Sequence, residues 1–138
     1  MKRLAIVVRD DAYDRLLTPL TFAWVMASEG VEVDILFVLW AVRVLTPEGL
    51  RALRIDAHHA DEETSLRERL ARDGDPVDAY DFLRILEATG KVRFYGCRLA
   101  AATFDVKSER LIGEADGIVD ASWFLKEKAM RAEHCQYF

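Results

Sequence analysis

The sequence predicts an α/β fold: a single domain over residues 1–138, built as a flavodoxin-like open parallel sheet of about five strands with helices on both faces. Three observations predict it. Short apolar runs alternate with helix-period segments along the whole chain. The runs are continuous rather than alternating, as in strands buried on both faces. The length of 138 residues, 51% of them apolar, suits one domain with a core that needs no staples.

The elements follow in order. Leu4-Ala5-Ile6-Val7-Val8 is a buried-strand run. Asp10 or Asp11 can cap a helix over Ala12 to Ser28, in which Leu16, Leu17, Leu20, Ala23, Trp24 and Ala27 recur at helical spacing. Pro19 either kinks this helix or marks a later start, and Gly30 stops it. Val31 to Leu39 is the second strand; Trp40 to Leu45 either extends it or begins a helix. Thr46 then caps a short helix with Pro47 at its first position. Residues 54–78 are dense in charge and histidine and form a solvated, mobile excursion holding one charged helix over Glu62 to Arg72. Asp78 to Thr89 is helical, with Phe82, Leu83, Ile85 and Leu86 as its apolar stripe, and Gly90 ends it. Lys91 to Tyr95 is the third strand, and Leu99 to Ala102 starts the next helix. Ser108 to Ile112 makes a turn, Gly117 to Val119 a brief strand, Ala121 to Ala132 a helix and His134 to Phe138 a last strand.

Composition narrows function. A formal net charge of −5 argues against a nucleic-acid surface or an anionic membrane. No apolar stretch approaches the roughly 18 residues of a membrane span, and Arg9-Asp10-Asp11 cuts short any signal-peptide core. Two cysteines far apart do not make a disulfide framework. The expectation is a soluble cytoplasmic protein with reduced thiols. There is no G-x-G-x-x-G, P-loop or G-x-S-x-G, and the first βα turn carries two acids, so no nucleotide, flavin or other cofactor is expected.

The residue with the clearest chemical promise is Cys97. It follows Val92-Arg93-Phe94-Tyr95-Gly96 and precedes a helix, near unpaired backbone N–H groups that favour a thiolate. Gly96 permits a sharp turn that presents the sulfur, and Arg98 can stabilise the anion or grip an acidic thiol donor. Asp10, Asp11 and Tyr13 follow the first strand and so sit on the same carboxyl edge, where they can line a ligand pocket. Cys135 is packing, or a redox partner of Cys97 if the two Cα atoms lie within about 7 Å. His58, His59, Asp61, Glu62 and Glu63 read as a charged loop rather than a metal site. His134 is a surface residue or a base, and Trp24, Trp40 and Trp123 belong to the core or a subunit interface.

The chain resembles the DsrE/DsrF-like family of small sulfur-relay proteins. The likeness rests on the opening βαβ unit from Lys2 to Val33, on Ile35 to Val42, on Val92 to Cys97, on Glu109-Arg110-Leu111-Ile112, and on Gly117 to Leu125. The resemblance implies a flavodoxin-like fold, assembly into trimers or hexamers, and a cysteine at the Cys97 position that holds sulfane sulfur as a persulfide. The sulfur would pass between a donor or acceptor protein or a small thiol, as in a sulfurtransferase-like relay. Leu99, Ala100 and Asp105 stand where the family often has Ser or Met and, farther on, Gly. That departure motivates the alternative, a non-catalytic oligomeric binding or scaffold module. A thiol-redox protein using both cysteines is the third reading.

Overall fold

A computed structural model describes every residue from Met1 to Phe138. Strands β1 (Arg3–Val8), β2 (Glu32–Phe37), β3 (Val92–Cys97), β4 (Gly117–Val119) and β5 (His134–Tyr137) form one all-parallel sheet in the order β4-β3-β2-β1-β5. The helices are α1 (Tyr13–Ser28), α2 (Pro47–Arg51), α3 (Glu63–Asp73), α4 (Ala79–Ala88), α5 (Arg98–Thr103) and α6 (Ala121–Glu127). No helix is long and apolar enough to cross a membrane.

Both faces of the sheet are covered, which is why β1 after Arg3 and β2 after Asp34 read as unbroken apolar runs. On one face Leu4, Ile6, Val33, Ile35, Val92 and Phe94 pack under α1 and α4 through Leu16, Leu20, Ala23, Phe82, Leu83 and Leu86. On the other, Ala5, Leu36, Tyr95 and Cys97 meet Ala100 and Ala101 of α5 and Phe124 of α6. The second cover is thin. Phe124 is the only buried residue of α6, which ends at Glu127 rather than running to Ala132. The reason lies below it. Asp34, buried in the middle of β2, draws Lys128 Nζ to 3.3 Å, and the backbone leaves the helix at that lysine. The ammonium also lies 5.7 Å from the ring centres of Tyr95 and Trp123.

Local signals hold where they are purely local. Thr46 caps α2, accepting from the Gly49 N–H at 3.0 Å, with Pro47 in the first turn. Helix α1 includes Pro19 and continues to Ser28. Leu39–Leu45, open between strand and helix on sequence grounds, is a 3₁₀ helix that begins with Leu39 at φ 49°. A bulky side chain in the left-handed region is strained by roughly 1–2 kcal/mol.

The charged excursion holds a 3₁₀ turn (Ala57–Glu62) and α3, neither with a buried residue. It is nevertheless tied to α1. The Asp56 N–H donates to Asp14 at 2.8 Å, Arg15 bridges to Asp56 at 2.7 Å, and the Arg67 guanidinium lies 4.1 Å over the Tyr13 ring. His59 pairs with Glu62 at 3.3 Å, and His58 stacks against His59.

Candidate functional site

The carboxyl ends of β1, β2 and β3 lie level, since Val8 pairs with Phe37 and Phe37 with Gly96. Near this edge Asp10 and Asp11 follow β1, Tyr13 opens α1, Gly96 and Cys97 end β3, and Arg98 opens α5. The structure sorts them into three separate places.

Cys97 closes β3 opposite Val119 and is at once the N-cap residue of α5. Strand passes to helix with no linker; the sequence placed Cys97 at this junction but ended the strand at Tyr95 and began the helix at Leu99. The thiol, however, is packed among Leu36, Val42, Tyr95, Ala100, Ala101 and Phe124, and the residue is 5% exposed. Its side chain makes no capping hydrogen bond to the helix. Gly96 is not the hinge of a turn. It has no left-handed φ and pairs with Phe37 and Ile118 as an ordinary strand residue. What it supplies is room: a Cβ there would sit 3.3 Å from Val42 Cγ2 and 3.6 Å from Leu45 Cδ1. Arg98 is turned aside, with Nε donating to Asp120 Oδ1 at 2.7 Å on the open surface. Such an exposed pair contributes about 0–1 kcal/mol.

The helix that follows Cys97 ends in a left-handed turn. The Val106 N–H bonds back to the Ala101 carbonyl, and Asp105 between them takes φ 54°. This is a Schellman-type stop with aspartate in the position that glycine fills most easily. Asp105→Gly is therefore expected to raise stability by about 1 kcal/mol, a gain of about 3 °C in a thermal melt.

The second place is a cavity of about 400 Å³ between the loops after β1, β2 and β3. Asp11, Arg43, Thr46, Glu48, Asp105 and Arg110 face it, with Phe104 as an apolar wall. Arg43 is held from three sides. Nη2 donates to Asp11 Oδ2 at 2.7 Å, and the guanidinium carbon lies 5.2 Å from the Trp40 ring centre and 5.1 Å from that of Phe104. Arg110 pairs with Glu48 across the same opening. Sequence reading named Asp11 but missed Arg43. The usable signal was Trp40-Ala41-Val42-Arg43, an arginine one helical turn from an aromatic in a loop beyond a strand.

The third place is the β1–β5 junction. Here Asp10 accepts from the Ala12 N–H at 2.9 Å and pairs with Arg15 at 3.1 Å, beside a cavity of about 280 Å³. This junction is the point where the strand order reverses, because β2, β3 and β4 lie on one side of β1 and β5 on the other. In open α/β sheets ligands gather at such a point. Cys97 is on the right edge of the sheet but two strands away from the switch. Tyr13 does not line a crevice. It is 1% exposed, its hydroxyl donates to the Val77 carbonyl, and burial raises its phenol above the ordinary pKa.

No family model matches the sequence, and no curated protein matches it. Among solved structures, the protein of unknown function MTH1491 from Methanobacterium thermoautotrophicum is similar over 99% of both chains, with a TM-score of 0.59 at 14% identity. At that identity the likeness speaks for the fold alone, and it does so over the full length.

The two cysteines cannot meet. Both are free; Cys135 is on β5 and Cys97 on β3, with β1 and β2 between them. Three strand spacings amount to about 14 Å, twice the reach of a disulfide. The thiol-redox pair is thereby corrected: Cys135 instead lies beside Tyr137, and the neighbouring thiol raises that phenol above its ordinary pKa.

Proposed function

We propose that this chain is a binding module on a DsrE/DsrF-like frame, with Cys97 as a packing thiol and the Asp11–Arg43 cavity as its ligand-facing surface. The observation that carries the reading is the contrast between the two places. The thiol is enclosed by hydrocarbon with Arg98 directed away from it, whereas Arg43 is fixed by Asp11, Trp40 and Phe104 beside an open cavity. A guanidinium already immobilised gives up little freedom when a ligand arrives. A small polar molecule able to exchange partners with the Asp11–Arg43 and Glu48–Arg110 pairs suits such a lining. A cytoplasmic setting with both thiols reduced, and assembly into trimers or hexamers through exposed Leu99, Trp123 and Met130, belong to the same proposal.

A second reading, a sulfur carrier, is favoured by one specific observation: the thiol ends a central strand at the start of a helix, in the position the family resemblance assigns to the persulfide. In that chemistry the Cys97 thiolate attacks the outer sulfur of a donor persulfide. The new S–S bond forms on Cys97 and the donor leaves as a thiolate. One experiment separates the readings. The intact protein is incubated with a persulfide or polysulfide donor at neutral pH and weighed. The binding-module reading expects Cys97 to gain no sulfur. A single-sulfur adduct that vanishes in Cys97→Ser would overturn it in favour of the carrier.

A further inference from the structure

An apolar recess opens on the flank of the molecule, sharing only α2 and the Arg110-Leu111 stretch with the walls of the Arg43 cavity. It lies between α2, the start of α4 and the loop entering β4, and encloses about 550 Å³, within the range of small-molecule sites. Its floor is Leu50, Leu111 and Ile112, all packed against the main core. The loop is anchored at two points. The Ile112 N–H donates to the Leu45 carbonyl at 2.8 Å, and the Tyr80 hydroxyl reaches both oxygens of Glu114 at 3.1 Å. The hydrogen bond to the Glu114 carboxylate holds the Tyr80 phenol above its ordinary pKa. The recess is therefore a formed feature rather than a gap under a loose loop.

Its polar groups differ in what remains free. Asp78 is engaged as the cap of α4, accepting from the Tyr80 N–H at 2.8 Å and the Asp81 N–H at 3.3 Å. Tyr80 is spent on Glu114. Arg51, at the end of α2 on the rim, takes part in no ion pair. An apolar floor with one uncommitted guanidinium at its edge is complementary to a molecule with an apolar body and a carboxylate head, since Arg meets carboxylate with two parallel hydrogen bonds.

We infer that this recess binds a small amphipathic carboxylic acid, its chain on Leu50, Leu111 and Ile112 and its carboxylate on Arg51. The inference does not depend on the role of Cys97 or of the Arg43 cavity. The test titrates the full chain with octanoate, octanol and octylamine, following backbone amides by NMR. Octanoate is expected to move the amides of residues 50–52 and 111–114 and to bind about tenfold more tightly than octanol, with octylamine weakest. Arg51 is exposed, so Arg51→Ala should fold normally and should bring octanoate down to the affinity of octanol. Gly113 lines the recess and nothing lies within 4 Å of an added Cβ there, so Gly113→Leu adds apolar bulk at the recess without a backbone clash and should remove binding of all three probes. Equal affinities for octanoate and octanol, unchanged octanoate binding in Arg51→Ala, or shifts that survive in Gly113→Leu would each overturn the assignment.

Discussion

Gly49→Ala is expected to destabilise the protein by about 3 kcal/mol and to lower its melting temperature by about 10 °C. The glycine lies in the middle of α2, where alanine would ordinarily improve a helix. Here the sign reverses, because an added Cβ would collide with the Arg43 carbonyl. That carbonyl cannot retreat. It accepts from the Thr46 hydroxyl at 2.8 Å and the Thr46 N–H at 3.1 Å, and the same hydroxyl oxygen caps Gly49. Helix and 3₁₀ segment would have to separate together, carrying Arg43 away from Asp11 and Phe104. Differential scanning calorimetry on Gly49→Ala beside Gly113→Ala makes the comparison clean, since the second glycine has open space around its missing side chain. If both variants melt like the parent protein, the close approach at Gly49 carries no energy.

What the sequence discloses about this fold is what depends on near neighbours in the chain. The continuous apolar runs of β1 and β2 follow from burial on both faces. The helix stops at Gly30 and Gly90 follow from left-handed φ values of 86° and 71°. The Thr46-Pro47 start of α2 needs only four residues to be recognised. Strand order is another matter. Whether β5 returns beside β1 or continues past β4 leaves no mark on periodicity, and with it goes the location of the switch point. The early end of α6 at Lys128 is set by Asp34, nearly a hundred positions earlier, so no local window contains it. The same distance effect hid the state of Cys97. Its place at the end of a strand was legible, but the helix that would lie over it was not.

Phe124→Ala is expected to cost about 4 kcal/mol and to speed alkylation of Cys97 by on the order of tenfold. Phe124 has no exposed surface and is the one buried residue of α6, with half-exposed Trp123 edge-on to Tyr95 beside it. Its ring lies 6.0 Å from that of Tyr95, and it belongs to the cluster that encloses the thiol. Truncation removes the whole phenyl ring from a seven-residue helix with no other buried residue, so the helix should open locally more often than the sheet unfolds. Each opening uncovers Cys97. Pulsed labelling with iodoacetamide in a Cys135→Ser background, read by intact mass, measures the rate directly; Leu125→Ala, on the exposed side of the same helix, should leave it unchanged. If Cys97 in the parent protein already reacts as fast as a free thiol, the cover is ineffective, and the case for a packing cysteine falls with it. If the rate rises only in Phe124→Ala, one aromatic ring separates a silent thiol from an accessible one.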